Sequence, residues 1–145
     1  MNPRTYLAAA LAAILTTTAA SAHPGVTRQW LDAVKQVESG GDCTLVGDGG
    51  KAIGPYQIHR GYWLDATAAD RTIGGRYEDC VKPEYAERIV NAYMTRHAPK
   101  NATPEQLAKI HNGGPGAMKV KPGTRYARNL AAYWTKVKAK MRRSK

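Results

Sequence analysis

VESGGDCTLVGDGGKAIGPYQI, residues 37–58, sets Glu38 at the end of an apolar-faced segment and follows it with six glycines, two short extended runs and a terminal Gln-Ile. On its N-terminal side Trp30, Leu31, Val34 and Val37 recur at helical spacing, Thr27 is an acceptable N-cap and Gly40-Gly41 supplies a stop. That pattern predicts an amphipathic helix over Arg28–Ser39 with Glu38 in its last turn. On the other side, short extended runs flank Gly47-Asp48-Gly49-Gly50 between Thr44 and Ile58, the pattern of a β-hairpin whose turn carries Asp48. Pro55 confines the second run to an edge or a strand end.

Beyond the hairpin the signals are helical. Tyr62–Ala66 predicts a short helix, and Thr67–Asp79, with Gly74-Gly75, a loop. Pro83 at a first helical position, followed by Tyr85, Ala86, Ile89, Val90, Tyr93 and Met94, predicts a helix over Pro83–His97. Thr103-Pro104-Glu105-Gln106 is a capping-box pattern opening a helix that runs to about His111, and Asn112-Gly-Gly-Pro-Gly116 ends it. A last helix is expected near Thr124–Lys138, carrying Tyr126, Leu130, Tyr133, Trp134 and Val137. The basic residues at the end of the chain read as a solvated or frayed tail. The sum is an α+β fold, mostly helical, with one small β-hairpin beside the first helix.

Composition bounds the setting. Arg4 followed by an apolar, alanine-rich run and Ala20-Ser21-Ala22 predicts a secretory signal peptide over residues 1–22, too short to span a bilayer, and a single domain over 23–145 that is secreted or periplasmic. Two cysteines in an exported chain favour a Cys43–Cys80 disulfide, which would stabilise the fold by about 3 to 4 kcal/mol on the chain-entropy model. The formal charge is +11, or +10 once Arg4 leaves with the leader. A field of that sign draws the molecule to anionic envelope surfaces, and to nucleic acid only non-specifically. The four histidines show no metal-ligand spacing, so no metal and no cofactor are expected, and a monomer is assumed.

Glu38 sits where an apolar face, the negative end of a helix dipole and a neighbouring carboxylate would all favour its protonated form, the state of a general acid. Position alone favours a plain surface glutamate, and an aspartate in Gly-Asp-Gly-Gly is by itself more often a turn residue. Together, however, the pair meets the need of glycosidic cleavage: one protonated carboxyl in an apolar place and one ionised carboxyl in a wetter one.

Six pieces of the sequence, in order, resemble the invertebrate-type lysozymes: Val37-Glu38-Ser-Gly, Gly54-Pro-Tyr56-Gln57-Ile, Tyr62-Trp63-Leu-Asp65, Tyr93-Met94-x-Arg96, His111-Asn112-Gly-Gly-Pro115 and Tyr133-Trp134-x-Lys-Val137. The resemblance spans Val34 to Val137 and implies a lysozyme-like fold that hydrolyses the β-1,4 bond between N-acetylmuramic acid and N-acetylglucosamine in peptidoglycan. It puts Glu38 at the acid and Asp48 at the second carboxylate. Tyr56, Gln57, Tyr62, His111 and Asn112 become candidate substrate contacts, weighed against strand residues for Tyr56 and Gln57 and a helix cap for His111-Asn112. Trp63 is at least as well explained as core. The chain departs from the eukaryotic members in its few cysteines, with Ala66 where a cysteine commonly follows the Tyr-Trp-x-Asp pattern, a frugality that would suit a bacterial protein.

Two competing readings remain open at this level. Lytic transglycosylases share Glu-Ser-Gly and Gly-x-x-Gln and work with one glutamate, which makes Asp48 the discriminating residue. A non-enzymatic cationic antibacterial protein would draw equally on the net charge. Isopeptidase chemistry at Ser39 and His111 has no nucleophile motif behind it.

Overall fold

The computed structural model describes residues 21–143, so nearly all of the expected leader lies outside the described residues. In chain order the elements are α1 (Arg28–Ser39), β1 (Val46–Gly47), β2 (Ala52–Ile53), β3 (Ile58–His59), α2 (Arg60–Ala69), α3 (Pro83–His97), α4 (Pro104–Gly113) and α5 (Arg125–Arg143). Short 3-10 turns cover Asp48–Gly50, Tyr77–Val81 and Pro115–Lys119.

The helix signals hold where caps define them. The Thr27 side chain accepts from the Trp30 amide at the start of α1, and Thr103 and Gln106 close the predicted capping box on α4. Trp30 is fully buried and donates its indole N–H to the Pro104 carbonyl at 3.2 Å, tying α1 to α4. Around it Val34, Ile89, Met94, Leu107, Ile110 and Val137 form one apolar core. His23 is buried too, with Nε2 donating to the Pro99 carbonyl and Nδ1 accepting from the Gly25 amide. Those contacts anchor the chain entering α1.

The β region differs from the expected hairpin. It is a three-stranded antiparallel sheet in the order β1-β2-β3, with Val46 opposite Ile53 and Ala52 opposite His59. The second extended run is broken between Ile53 and Ile58 by a turn with Gly54 at φ 77° and Gln57 at φ 45°. The Gly54 amide donates to the Leu45 carbonyl at 2.9 Å, and a Cβ on Gly54 would collide with the Cys80 carbonyl oxygen. Only glycine lets β2 pass this close to the Tyr77–Val81 turn.

Other boundaries shift for local reasons. α2 runs to Ala69, three residues into the expected loop, because Ala66, Ala68 and Ala69 are strong helix formers and the Thr67 hydroxyl bonds back to the Trp63 carbonyl at 2.9 Å. α5 continues to Arg143 instead of fraying after Lys138. Met141 packs against the core and its carbonyl accepts from Gln29 Nε2 at 2.9 Å.

The expected Cys43–Cys80 disulfide is not formed, and both thiols are free. Cys80 is fully buried in the core, where burial pushes its thiol up to about 12. Cys43 is half-buried on the loop after α1, its thiol directed at the Gly41 carbonyl. An even cysteine count carries no geometry, and here the two side chains serve different surroundings.

Tyr56 is likewise corrected. Instead of facing a cleft it is fully buried and donates its hydroxyl to Glu87 Oε1 at 2.9 Å, while Arg28 clamps the same carboxylate from two nitrogens at 2.7 and 2.5 Å. The Arg28 bond chiefly, with that of Tyr56, holds the Glu87 carboxyl below its usual range against the opposing effect of burial. A carboxylate with a depressed folded pKa contributes stability above its unfolded pKa and loses it as pH falls through the folded value. Glu87→Gln is expected to cost about 1–2 kcal/mol at pH 7, kept modest because Arg28 is solvent-exposed. Urea midpoints of the two proteins should converge as the pH is lowered below about 4; a gap that persists at pH 3 would assign the loss to packing instead.

Candidate active site

Glu38 and Asp48 line one cavity of about 230 Å³ together with Ala52, Gln57, His59, Tyr62, His111 and Asn112. α1 supplies Glu38, the sheet and its turns supply Asp48, Ala52, Gln57 and His59, α2 supplies Tyr62, and α4 supplies His111 and Asn112. The Ser39 hydroxyl bonds to the Lys35 and Pro55 carbonyls at 3.1 and 3.0 Å and accepts from the Gly41 amide. That clip fastens the sheet's turn to the end of α1 beside Glu38, and it is the local reason for serine after the glutamate.

Asp48 (φ 48°) and Gln57 (φ 45°) are the non-glycine residues with left-handed backbone among the described residues, and both line this cavity. Side chains rarely accept that conformation, and where they do the strain tends to sit at functional positions. Gln57 donates both amide hydrogens inward, to the Leu45 carbonyl at 3.1 Å and the Gly54 carbonyl at 2.9 Å. Only its Oε1 is left to meet a ligand, as an acceptor. The Asp48 side chain is 62% exposed and its Oδ2 lies 3.4 Å from Nε2 of His59.

Glu38 has quite different surroundings. Its side chain is 17% exposed, its Oε1 accepts a 2.6 Å hydrogen bond from the Tyr133 hydroxyl, and the same oxygen lies 3.6 Å from Nε2 of His111. Burial, reinforced by the charge of Glu38, holds the Tyr133 phenol well above its ordinary pKa, and burial likewise raises Tyr62. Both therefore remain O–H donors. Burial lowers His111, opposed by the Glu38 charge and by a bond to the Tyr56 main chain, so the imidazole is held toward its neutral form. The Tyr62 hydroxyl meets His111 Nδ1 at 3.1 Å, and Nε2 of the same ring lies 3.6 Å from Glu38. Tyr62 is in turn stacked on Tyr93 at 3.5 Å, and Tyr93 is backed by the His97–Asp65 pair.

The structure thus brings Glu38, Asp48, Gln57, Tyr62, His111 and Asn112 together and leaves Tyr56 out. Tyr62 contacts His111 and has one ring face covered by Tyr93, so it offers no open two-sided stacking surface. Trp63 packs against the core and donates to the Tyr85 hydroxyl at 2.9 Å, as the core reading has it. Tyr133 and His59 are the residues that sequence reasoning passed over. Tyr133 reaches Glu38 because α5 packs on α1, and α5 also lies close against the end of α4: a Cβ on Gly113 would come within 2.5 Å of the Tyr126 hydroxyl. That contact explains the glycine at 113, and the left-handed φ of 74° explains the glycine at 114.

A larger cavity of about 360 Å³ lies between the end of α2 and α3, lined by Asp70, Thr72, Arg88 and Asn91 among others, but it joins no pair of carboxylates. Among the described residues no cluster of three or more His, Cys, Asp or Glu is placed to hold a metal ion, and no helix is long and apolar enough to cross a membrane.

Residues 27–139 match the family model described as Destabilase. The chain is 33% identical over 122 residues to Lysozyme 1 of Crassostrea virginica, covering 79% of this chain and 59% of that protein, so it spans about three-fifths of its relative's length. Among solved structures it resembles Tapes japonica lysozyme with a TM-score of 0.59 at 24% identity, over 77% of this chain and 87% of that one, a likeness of fold. It also resembles inhibitor-bound lysozyme from Meretrix lusoria, with a TM-score of 0.55 at 29% identity, over 74% of this chain and 90% of that one. A second structure of the Meretrix lusoria enzyme, in complex with Aeromonas hydrophila PliI, matches with the same TM-score of 0.55. With its mostly helical lysozyme fold, its Glu-Ser-Gly and His-Asn-Gly-Gly-Pro segments meeting at one cavity, and a family match over most of its length, the chain belongs to the destabilase family, the invertebrate-type lysozymes.

Proposed function

We propose that the chain is a lysozyme-type glycoside hydrolase cleaving the β-1,4 bond between N-acetylmuramic acid and N-acetylglucosamine in peptidoglycan, with Glu38 as general acid and Asp48 as second carboxylate. The observation that carries this reading is the contrast within one cavity: Glu38 is 17% exposed and Asp48 62% exposed. Cleavage of this kind divides its work between two such carboxyl groups.

The environment of Glu38 also supports a division between its two oxygens. Oε1 is occupied by the Tyr133 hydroxyl and faces His111, so the transferable proton belongs on Oε2. As the glycosidic oxygen takes that proton and the C–O bond breaks, the carboxylate left behind keeps its hydrogen bond from Tyr133. Asp48 stands on the sheet side, where its negative charge stabilises the positive sugar carbon directly or through an added water. Water then completes the hydrolysis and Glu38 recovers its proton. Gln57 Oε1 and the exposed Asn112 are placed to meet the sugar amides and hydroxyls.

Mass spectrometry of the soluble fragments from purified peptidoglycan tests the reading. Reducing muramic ends are expected, and Asp48→Asn should lower their rate of release by about 10²-fold or more, the scale of losing one electrostatic stabiliser. Fragments lighter by one water, with anhydro ends, would instead make the enzyme a lytic transglycosylase. No fragments from any wall type would leave a cationic binding protein.

A further inference from the structure

The formal charge of +11 is not spread over the chain. Up to Glu105 the Lys and Arg residues exactly balance the Asp and Glu, and every acidic residue of the protein lies in that part. From Gln106 to the end there is no carboxylate side chain, and the whole excess of +11 lies there. The structure collects most of this excess on α5 and the segment leading into it.

α5 buries Leu130, Tyr133 and Val137 against the body of the protein. Its exposed residues include Arg125, Arg128, Lys136, Lys138, Arg142 and Arg143, interspersed with Ala131, Ala132, Thr135 and Ala139. None of these six basic side chains forms a salt bridge among the described residues; Arg128 instead donates to the Gly123 carbonyl. Lys119 and Lys121 add two exposed charges ahead of the helix.

Helix stability accounts for only half of this pattern. Cations in the last turn, Arg142 and Arg143, complement the helix dipole, but Arg125 and Arg128 stand in the first turn, where cations oppose it, and no acidic residue accompanies them. Charges placed against the dipole and left without an acidic partner point to a ligand of opposite sign. The face is also unsuited to a bilayer. Between its charges it exposes alanine and threonine, and Tyr126 at its start is the only large apolar side chain of α5 that is exposed, so there is little to insert.

We propose that the outward face of α5 docks a phosphodiester-linked anionic polymer of the cell wall, held by charge along the helix. The choice of a wall polymer rests on the glycoside-hydrolase reading; the basic face itself does not. The same helix presents Tyr133 to Glu38 from its inner side, so docking places the polymer's attached glycan close to the acid.

The test is cosedimentation with insoluble walls over a salt series, using native walls and walls from which the phosphate polymer has been extracted with hydrofluoric acid. The wild-type protein is compared with a variant carrying Lys136→Gln, Lys138→Gln, Arg142→Gln and Arg143→Gln, whose helix content is checked by circular dichroism. At low salt the variant should bind native walls about fivefold more weakly per side chain removed, several hundred-fold in all, and with a shallower salt dependence. Extracted walls should bind both proteins alike and weakly. Equal binding of variant and wild type to native walls would overturn the proposal. So would tighter wild-type binding to anionic vesicles or duplex DNA than to native walls at equal phosphate, or undiminished binding to extracted walls. Because binding is read without cleavage, this outcome is independent of whether fragments are ever released; turnover of a short uncharged oligosaccharide, expected to be equal in the two proteins, reports on the hydrolase reading separately.

Discussion

Glu38→Gln is expected to lower kcat for wall cleavage by about 10²- to 10⁴-fold while leaving KM and thermal stability close to wild type. The amide is nearly isosteric and keeps an oxygen that can accept the Tyr133 hydroxyl at the position of Oε1, so the site should hold its shape. What disappears is the acidic proton on the other oxygen. Tyr133→Phe provides the contrast. It leaves the carboxyl but removes the 2.6 Å hydrogen bond that fixes Oε1, so kcat should fall less than in Glu38→Gln. Turnover on purified walls across pH, with melting temperatures of both variants, checks the pair. Glu38→Gln retaining wild-type turnover would remove Glu38 from the chemistry.

Gly54→Ala carries the largest expected effect on stability, at least about 3 kcal/mol, from a single methyl group. Two costs add at one position. The backbone is left-handed at φ 77°, which alone costs a Cβ-bearing residue about 1–2 kcal/mol, and the new carbon would overlap the Cys80 carbonyl, part of a rigid backbone turn. Relief requires moving the sheet away from that turn, which would break the bonds that the Gly54 carbonyl accepts from the Gln57 backbone and side chain. Urea denaturation should show a lower midpoint, and cleavage should drop with it because Asp48 hangs on the same sheet. An unchanged midpoint would show that the turn yields freely.

The helices were legible because their signals are local. Thr27, Pro83 and the Thr103–Gln106 box each act within one turn, and the structure places α1, α3 and α4 as they specify. The motif residues around Glu38 also converge. What failed was information that no local pattern carries. Period-two alternation puts Tyr56 and Ile58 on one face of a strand, but the turn ending at Gln57 breaks the alternation and sends Tyr56 to Glu87. Tyr133 is 95 positions from Glu38 and sits at a spacing that reads as core; its hydroxyl finds the carboxylate only through the packing of α5 on α1. Counting cysteines says nothing of where their side chains point, and Cys80 is needed by the core. α5 outran its predicted end because Gln29 and the core secure Met141.

The sheet described above consists of three strands of two residues each, with Val46 59% exposed. Glu38, His111 and Tyr133 stand instead on helices of 12, 10 and 19 residues packed around Trp30 and its neighbours. Backbone segments with few buried apolar contacts open locally at a small fraction of the free energy needed to unfold the whole. Glu38 and Asp48 therefore belong to units of unequal durability: Glu38 is as lasting as the folded core, whereas Asp48 rides on the exposed turn between β1 and β2, which can open while Ala52 and Ile58 stay buried. On the proposed two-carboxylate reading, inactivation on warming is expected as a local event that precedes melting, reversible on cooling so long as the helices stay assembled.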